Sequence, residues 1–344
     1  MFAIVKNRPE KGLWAEDRLN AQKTLGPNDV RIKVSHAGVC GTDFHIYKWD
    51  DWAQGRVKVP TVLGHEFVGN IVEMGSAVSG YTVGERVSAE CHITCGVCRF
   101  CRTGQGHLCV DTQIIGVDRD GAFTNEVVMP ASNLWKIHPD IPDAHAAIFD
   151  PLGNAMHTVS AFNLAGKTVM ITGAGAIGLM AVAMSKARGA AKVIVLEPQE
   201  AKRRMAEALG ADMTLDPTQS GANDKIKAFT NAAMPDVLLE MSGNEKAIQQ
   251  GMTLLAMGGE VAMLGIPPKA ITLDVASTII FKGLTVKGII GRKMFETWYQ
   301  VDTFVRTNPD AVDKIITHVL PAERFAEAFT LMEEGKAGKV VLKF

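Results

Sequence analysis

Four of the six cysteines crowd into one short stretch, Cys95-x2-Cys98-x2-Cys101-x7-Cys109. Backbone turns at that spacing bring four sulfurs to the corners of a tetrahedron. Four thiolates close a zinc shell with no open position, so the pattern predicts a structural zinc. Disulfides are the alternative chemistry for such a run, and a reducing compartment disfavours them. Cys91, His92 and His107 lie close by, but nothing in the spacing requires them, and they read as ordinary loop residues. A closed site performs no hydrolysis or redox chemistry, so any reaction belongs elsewhere.

A second set is more dispersed. Cys40 stands in Val39-Cys40-Gly41-Thr42-Asp43-Phe44-His45, and His65 and Glu66 stand in Gly64-His65-Glu66-Phe67-Val68-Gly69, followed by Gly75 and Val78. A lone cysteine or histidine is by default a core residue. Here the second segment fits the pattern G-H-E-x-x-G-x5-G-x2-V throughout.

A third feature is Gly173-Ala174-Gly175-Ala176-Ile177-Gly178, an intact G-x-G-x-x-G. In a chain with 33 glycines such a match is weak alone. It gains weight because it follows an apolar strand at Val169–Thr172 and opens a helical segment at Leu179–Ala187. Gly173, Gly175 and Gly178 then permit a tight turn, and with Ile177 they bring a pyrophosphate to a helix N-terminus, where free N–H groups favour anions. Glu197 ends the next strand, where an acidic side chain holds the adenine ribose hydroxyls and repels a 2′-phosphate, favouring NAD over NADP. Lys202 either flanks the ribose or is simply an exposed lysine.

These residues need elements to position them. The first 150 residues are rich in glycine and short β-type runs, such as 30–34, 67–73 and 126–130, as expected of a barrel-like β domain carrying functional loops. After about Leu152 the texture changes. Apolar strands at 167–172, 191–197, 212–215, 236–240, 259–264 and 284–290 alternate with helical segments, which predicts a doubly wound parallel sheet buried on both faces. The fold class is α/β, a β-rich domain joined to that sheet. Ligands in such sheets sit beyond the carboxyl ends of the strands. Leu264, Gly265 and Ile266, with Ile289 and Ile290, therefore line the nicotinamide or else pack the core. The tail from about Met294 reads as helical and ends in a strand at 338–344, returning to the first domain.

At 344 residues the chain exceeds one ordinary core, so two domains are expected. Hydrophobic residues make up 47% and charged residues 21%, a globular balance, and the formal net charge of −1 disfavours nucleic acid and acidic membrane as partners. No apolar run reaches the 18 or so residues of a membrane helix. The opening residues meet charge and proline too early for a secretory signal, so the cytoplasm is the expected compartment.

Taken together, the metal-type residues, the cysteine run and the glycine loop, in that order, resemble the medium-chain zinc-dependent dehydrogenase/reductase family over essentially the whole chain. The resemblance implies a GroES-like catalytic domain from 1–152 and 295–344, with a Rossmann NAD-binding domain at 153–294. It implies two zinc ions per chain, one structural and one catalytic. Cys40 and His65 ligate the catalytic zinc, with Glu66 as a third, exchangeable ligand. Asp150, in Phe149-Asp150-Pro151-Leu152-Gly153-Asn154, lies beside that zinc as a proton-relay group. Zinc of this kind acidifies an alcohol, NAD takes the hydride, and Thr42 passes the proton through the nicotinamide ribose to His45 and solvent. Further segments, 40–47 with Trp49 and Trp52, 149–154 with His157, 263–268 and 291–299, narrow the resemblance to the homotetrameric members that act on L-threonine. Cys91, Asn125 and Glu197 depart from that subgroup's pattern. A polyol or butanediol substrate is the alternative within the fold, and a purely structural zinc protein is the alternative outside catalysis. An NADPH-dependent quinone or enone reductase is disfavoured by Glu197 and by the catalytic zinc set.

Overall fold

The computed structural model describes residues 1–17 and 25–344. They separate into two compact units: Met1–Pro151 with Lys293–Asn308 and Ile316–Phe344, and Leu152–Arg292 with Pro309–Ile315.

The first unit is organised by the strand Asp29–Val39, in which buried Val30, Ile32 and Val34 alternate with the less buried Arg31 and exposed Lys33. It pairs antiparallel with Glu66–Met74, Glu126–Pro130 and Lys339–Lys343. Arg86–Ala89, Leu134–Lys136 and Ile316–Pro321 complete a seven-stranded sheet. Its inner face packs Ile4, Ile32, Phe67 and Phe123 into one core. Two registers matter for chemistry. Gly38 lies opposite Glu66, and Val39 lies opposite Val340. The peptides carrying Cys40, Glu66 and Lys339 are thereby brought to one end of the sheet.

The second unit is a six-stranded parallel sheet in the order Met213–Leu215, Lys192–Leu196, Thr168–Thr172, Val237–Glu240, Glu260–Met263, Thr285–Gly288. Numbered along the chain this is 3-2-1-4-5-6, the doubly wound order of dinucleotide-binding folds. The central strands are buried throughout, which is why they read as continuous apolar runs. Helices Ala176–Ala187, Glu200–Ala208, Ala222–Phe229 and Glu245–Leu254 supply the crossovers.

Two parts of the tail differ from the sequence reading. Pro309–Ile315, expected with the chain ends, packs with the second unit, where Lys314 Nζ donates to the Ala208 carbonyl at 3.1 Å. Ile316–Pro321, read as helical, is a strand paired in parallel with Lys339–Lys343. Only Leu320 in it is fully buried, so it lacks the alternation that reveals a strand.

Candidate active site

Cys40 caps the helix Gly41–Lys48, and the Asp43 carboxylate reaches back to accept the Cys40 N–H at 2.8 Å. This capping arrangement fixes the thiol at the helix start. His65 and Glu66 open the strand Glu66–Met74, after Gly64 with φ 89°. A side chain at Gly64 would also overlap the Phe123 ring, so this turn needs glycine on two counts. The result is a cluster in which donor atoms of Cys40, His65 and Glu66 all lie within 4.8 Å of one another.

The electrostatics of the cluster call for a cation. Burial disfavours a charged His65, yet Cys40, Asp43 and Asp150 outweigh it and push His65 up to about 10. Nδ1 of His65 is buried without a hydrogen-bond partner, 3.9 Å from Asp43 Oδ1, which is likewise buried and unbonded. The thiolate, imidazole and carboxylate of Cys40, His65 and Glu66 are donors that zinc accepts. Asp150 sits at the start of the helix Phe149–Val159, buried, its charge felt by both His65 and Glu66. Thr42 Oγ1 lies 3.8 Å from Cys40 Sγ. One turn along the same helix, His45 is mostly exposed, with Nδ1 2.5 Å from Asp50 Oδ2 and its ring edge-on to Trp52.

Sequence reasoning missed Lys339. Its buried ammonium stands 2.7 Å from Glu66 Oε1 and 2.5 Å from Oε2, and it donates to the Val39 carbonyl at 2.8 Å. Glu66 therefore already has a cationic partner besides any metal.

The four cysteines of the second cluster, Cys95, Cys98, Cys101 and Cys109, are free thiols whose sulfurs also lie within 4.8 Å of one another. Backbone N–H groups of Cys95, Cys98 and Asp111 point at the sulfurs at 3.3–3.4 Å. N–H groups of Cys101 and Val110 bring Cys98 down to about 6, whereas burial pushes Cys101 up to about 11. The strand pair His92–Ile93 with Gln113–Ile114 closes its base. Glu90, Cys91 and His92 converge as well, but differently. Glu90 Oε1 accepts from the His92 N–H and meets its Nδ1 at 2.8 Å, and Oε2 accepts from Trp298 Nε1 at 3.0 Å. That carboxylate is engaged in a hydrogen-bond network.

In the second unit Gly173 takes φ 87° and Gly175 caps the helix Ala176–Ala187. A side chain at Gly178 would overlap the Gly173 carbonyl. Ile177 follows in the first turn. Glu197 lies beside this turn, Oε2 accepting from the Ala174 N–H at 2.8 Å and Oε1 from the Gln199 N–H at 3.0 Å. Lys202 is half-buried on the following helix. Arg203, which the sequence did not single out, is the side chain that folds back, donating to the Glu197 and Pro198 carbonyls at 2.8 and 2.6 Å. Leu264 and Gly265 both donate to the Glu240 carbonyl, and Ile289 donates to Met263. Ile266 and Ile290 are exposed at the carboxyl ends of their strands, where this fold class binds ligands.

Known proteins resemble the chain over its whole length. The zinc-binding dehydrogenase family model matches residues 176–307, and the alcohol dehydrogenase GroES-like domain model matches residues 26–140. The chain is 47% identical over 344 residues to an L-threonine 3-dehydrogenase of Stenotrophomonas maltophilia, covering 100% of both chains. It is 45% identical to one of Alteromonas mediterranea, covering 99% of each. Among solved structures it is similar to an alcohol dehydrogenase from Thermus sp. ATN1, with a TM-score of 0.90 at 26% identity, covering 100% of this chain and 99% of that one. It is also similar to 2R,3R-butanediol dehydrogenase from Bacillus subtilis, with a TM-score of 0.89 at 25% identity and the same coverage.

Proposed function

The chain belongs to the zinc-dependent medium-chain alcohol dehydrogenase family, and from that premise we propose that it oxidises the β-hydroxyl of L-threonine, giving 2-amino-3-oxobutanoate, a hydride on NAD and a released proton. The observation that carries the reading is the convergence of Cys40, His65 and Glu66, with Asp150 beside them, in a chain similar end to end to relatives named for that substrate.

In this reading Cys40 and His65 would hold the catalytic zinc with Glu66 as a third, exchangeable ligand and Asp150 beside it, and Cys95, Cys98, Cys101 and Cys109 would hold the structural zinc. Zinc supplies Lewis-acid polarisation of the hydroxyl, and NAD accepts the hydride. Thr42, close to the Cys40 thiol, would accept the hydroxyl proton and pass its own through the nicotinamide ribose to His45. His45 discharges it to solvent, with Nδ1 committed to Asp50 and Nε2 left for the proton. The glycine turn of Gly173, Gly175, Ile177 and Gly178 receives the pyrophosphate. Glu197, supported by its bonds to the turn, faces the ribose and disfavours a 2′-phosphate, with Lys202 alongside. Leu264, Gly265, Ile266, Ile289 and Ile290 line the nicotinamide.

A homotetramer is supported by the edge strand Thr285–Gly288, exposed along its whole length, and by Val275, Ile280 and Phe281 exposed near it in sequence. An open strand edge with apolar neighbours is suited to pairing with another copy. The six free thiols accord with the cytoplasm.

The test is NAD and NADP reduction by the purified protein with L-threonine, L-allo-threonine, L-serine, 2,3-butanediol and sorbitol, before and after chelation. Chelator-sensitive, NAD-dependent turnover of L-threonine is expected. Turnover of a diol or polyol without threonine would keep the chemistry and overturn the substrate.

A further inference from the structure

The buried pair between Glu66 and Lys339 has a place in the chemistry beyond holding the fold. Lys339 enters on the C-terminal strand Lys339–Lys343, whose register sets Val340 against Val39. A lysine ammonium this deeply buried is costly unless its charge is met. Here it is met by three oxygens: the Val39 carbonyl at 2.8 Å, Glu66 Oε1 at 2.7 Å and Glu66 Oε2 at 2.5 Å. One ammonium thus grips the peptide just before Cys40 and the side chain just after His65.

The space for this pair is provided by Gly38. A Cβ there would overlap Glu66 Oε2 and lie 3.2 Å from Lys339 Cε. Both carboxylate oxygens face the ammonium, Oε1 at 2.7 Å with the directed hydrogen bond and Oε2 at 2.5 Å as an ion pair. A carboxylate oxygen of Glu66 also lies within 4.8 Å of the Cys40 and His65 donor atoms. Glu66 is therefore placed to be shared between two cations.

We propose that Lys339 is a positioning residue that holds Glu66 back from full ligation and so keeps the catalytic zinc electron-poor and the Glu66 position exchangeable. The inference rests on the reading of Cys40 and His65 as zinc ligands. Its physical basis is charge. A thiolate and a fully committed glutamate together neutralise a divalent ion and weaken its pull on a hydroxyl bound at the fourth position. A glutamate whose charge is met by Lys339 leaves the ion electron-poor and one position exchangeable.

The experiment uses zinc-loaded full-length protein and follows chelator-driven zinc release, with the cysteine lobe as internal reference, alongside kcat and KM for the alcohol. Lys339→Met frees Glu66 from its partner, and Gly38→Ala displaces Glu66 sterically without touching the lysine charge. Each is expected to slow release of the catalytic zinc about tenfold or more and to lower kcat by a similar factor. Adding Glu66→Gln to Lys339→Met is expected to return zinc release to the wild-type range, an effect a merely structural lysine would not produce. If Lys339→Met does not fold, Gly38→Ala carries the test alone. Release as fast as in wild type, or faster, in the variants that fold would overturn the proposal. A wild-type protein that holds zinc only in the cysteine lobe would instead overturn the ligand reading beneath it.

Discussion

Replacing Glu240 by glutamine keeps the shape of the side chain and removes its charge at the point where three strand ends of the nucleotide-binding unit meet. Glu240 is fully buried at the end of Val237–Glu240. Its Oε1 accepts from Thr172 Oγ1 at 3.2 Å, from the Ser242 N–H at 2.9 Å, from Ser242 Oγ at 2.5 Å and from the Gly243 N–H at 3.1 Å. The backbone carbonyl of the same residue receives the N–H groups of Leu264 and Gly265. Glutamine retains an oxygen for the Oε1 position but sets an N–H donor where Oε2 faces the Gly243 N–H. Hydrogen bonds to a charged acceptor contribute about 1.5–3 kcal/mol and neutral ones about 0.5–1.5, so weakening these four costs about 4 kcal/mol. Relief of the buried charge returns part of this, leaving about 2 kcal/mol. For a unit of this size that lowers Tm by about 4–8 °C. Because Ser242 also backs Gly173, loosening the turn at 242–243 is expected to weaken NADH binding about tenfold through lost preorganisation. Thermal unfolding and fluorescence titration with NADH read both effects. A Tm within about 1 °C of wild type together with unchanged NADH affinity would show that Glu240 holds neither the strand ends nor the turn.

Other perturbations separate the parts of the account. Cys98→Ser is expected to lower zinc content by one ion per chain and to destabilise the lobe, measured by metal analysis and proteolysis of the 95–109 segment. Gly178→Ala drives a methyl into the Gly173 carbonyl, so NADH affinity should fall at least about tenfold, with the Cys40 zinc retained. Asp143 is held below the usual carboxylate range by hydrogen bonds from His36 and Ser35 and by the nearby Arg86. A depressed carboxylate contributes stability above its unfolded pKa of about 3.9 and loses it as pH falls through the lower folded value. Asp143→Asn should therefore cost about 1 kcal/mol at pH 7, and the gap to wild type in urea unfolding should close below about pH 4.

Much of this arrangement is legible along the chain because the signals are local. The cysteine run and the glycine turn are written within a few residues each, and strands such as Lys192–Leu196 announce themselves because both faces are buried. What is not legible depends on partners distant in sequence. Lys339 reads as an ordinary strand lysine until the fold sets it against Glu66, 273 residues away. Glu240 reads as a strand-end acid until Thr172 and the 242–243 turn close on it. Arg203 looks like part of a solvated basic cluster, and only the structure shows it turned onto the Glu197 and Pro198 carbonyls. Pro309–Ile315 is continuous with residues of the first unit yet buries Val312 and Ile315 in the second, a choice made by packing rather than by local pattern.

Whether the Cys40–His65 cluster holds the zinc at which an alcohol is oxidised is decided by zinc content and NAD reduction with L-threonine in wild type and in Cys40→Ser. Two zinc ions per chain and turnover are expected in the wild type, and one zinc ion, a single cooperative unfolding transition and no turnover in the variant. A Cys40→Ser protein that still oxidises the alcohol at a wild-type rate would contradict that role for the cluster.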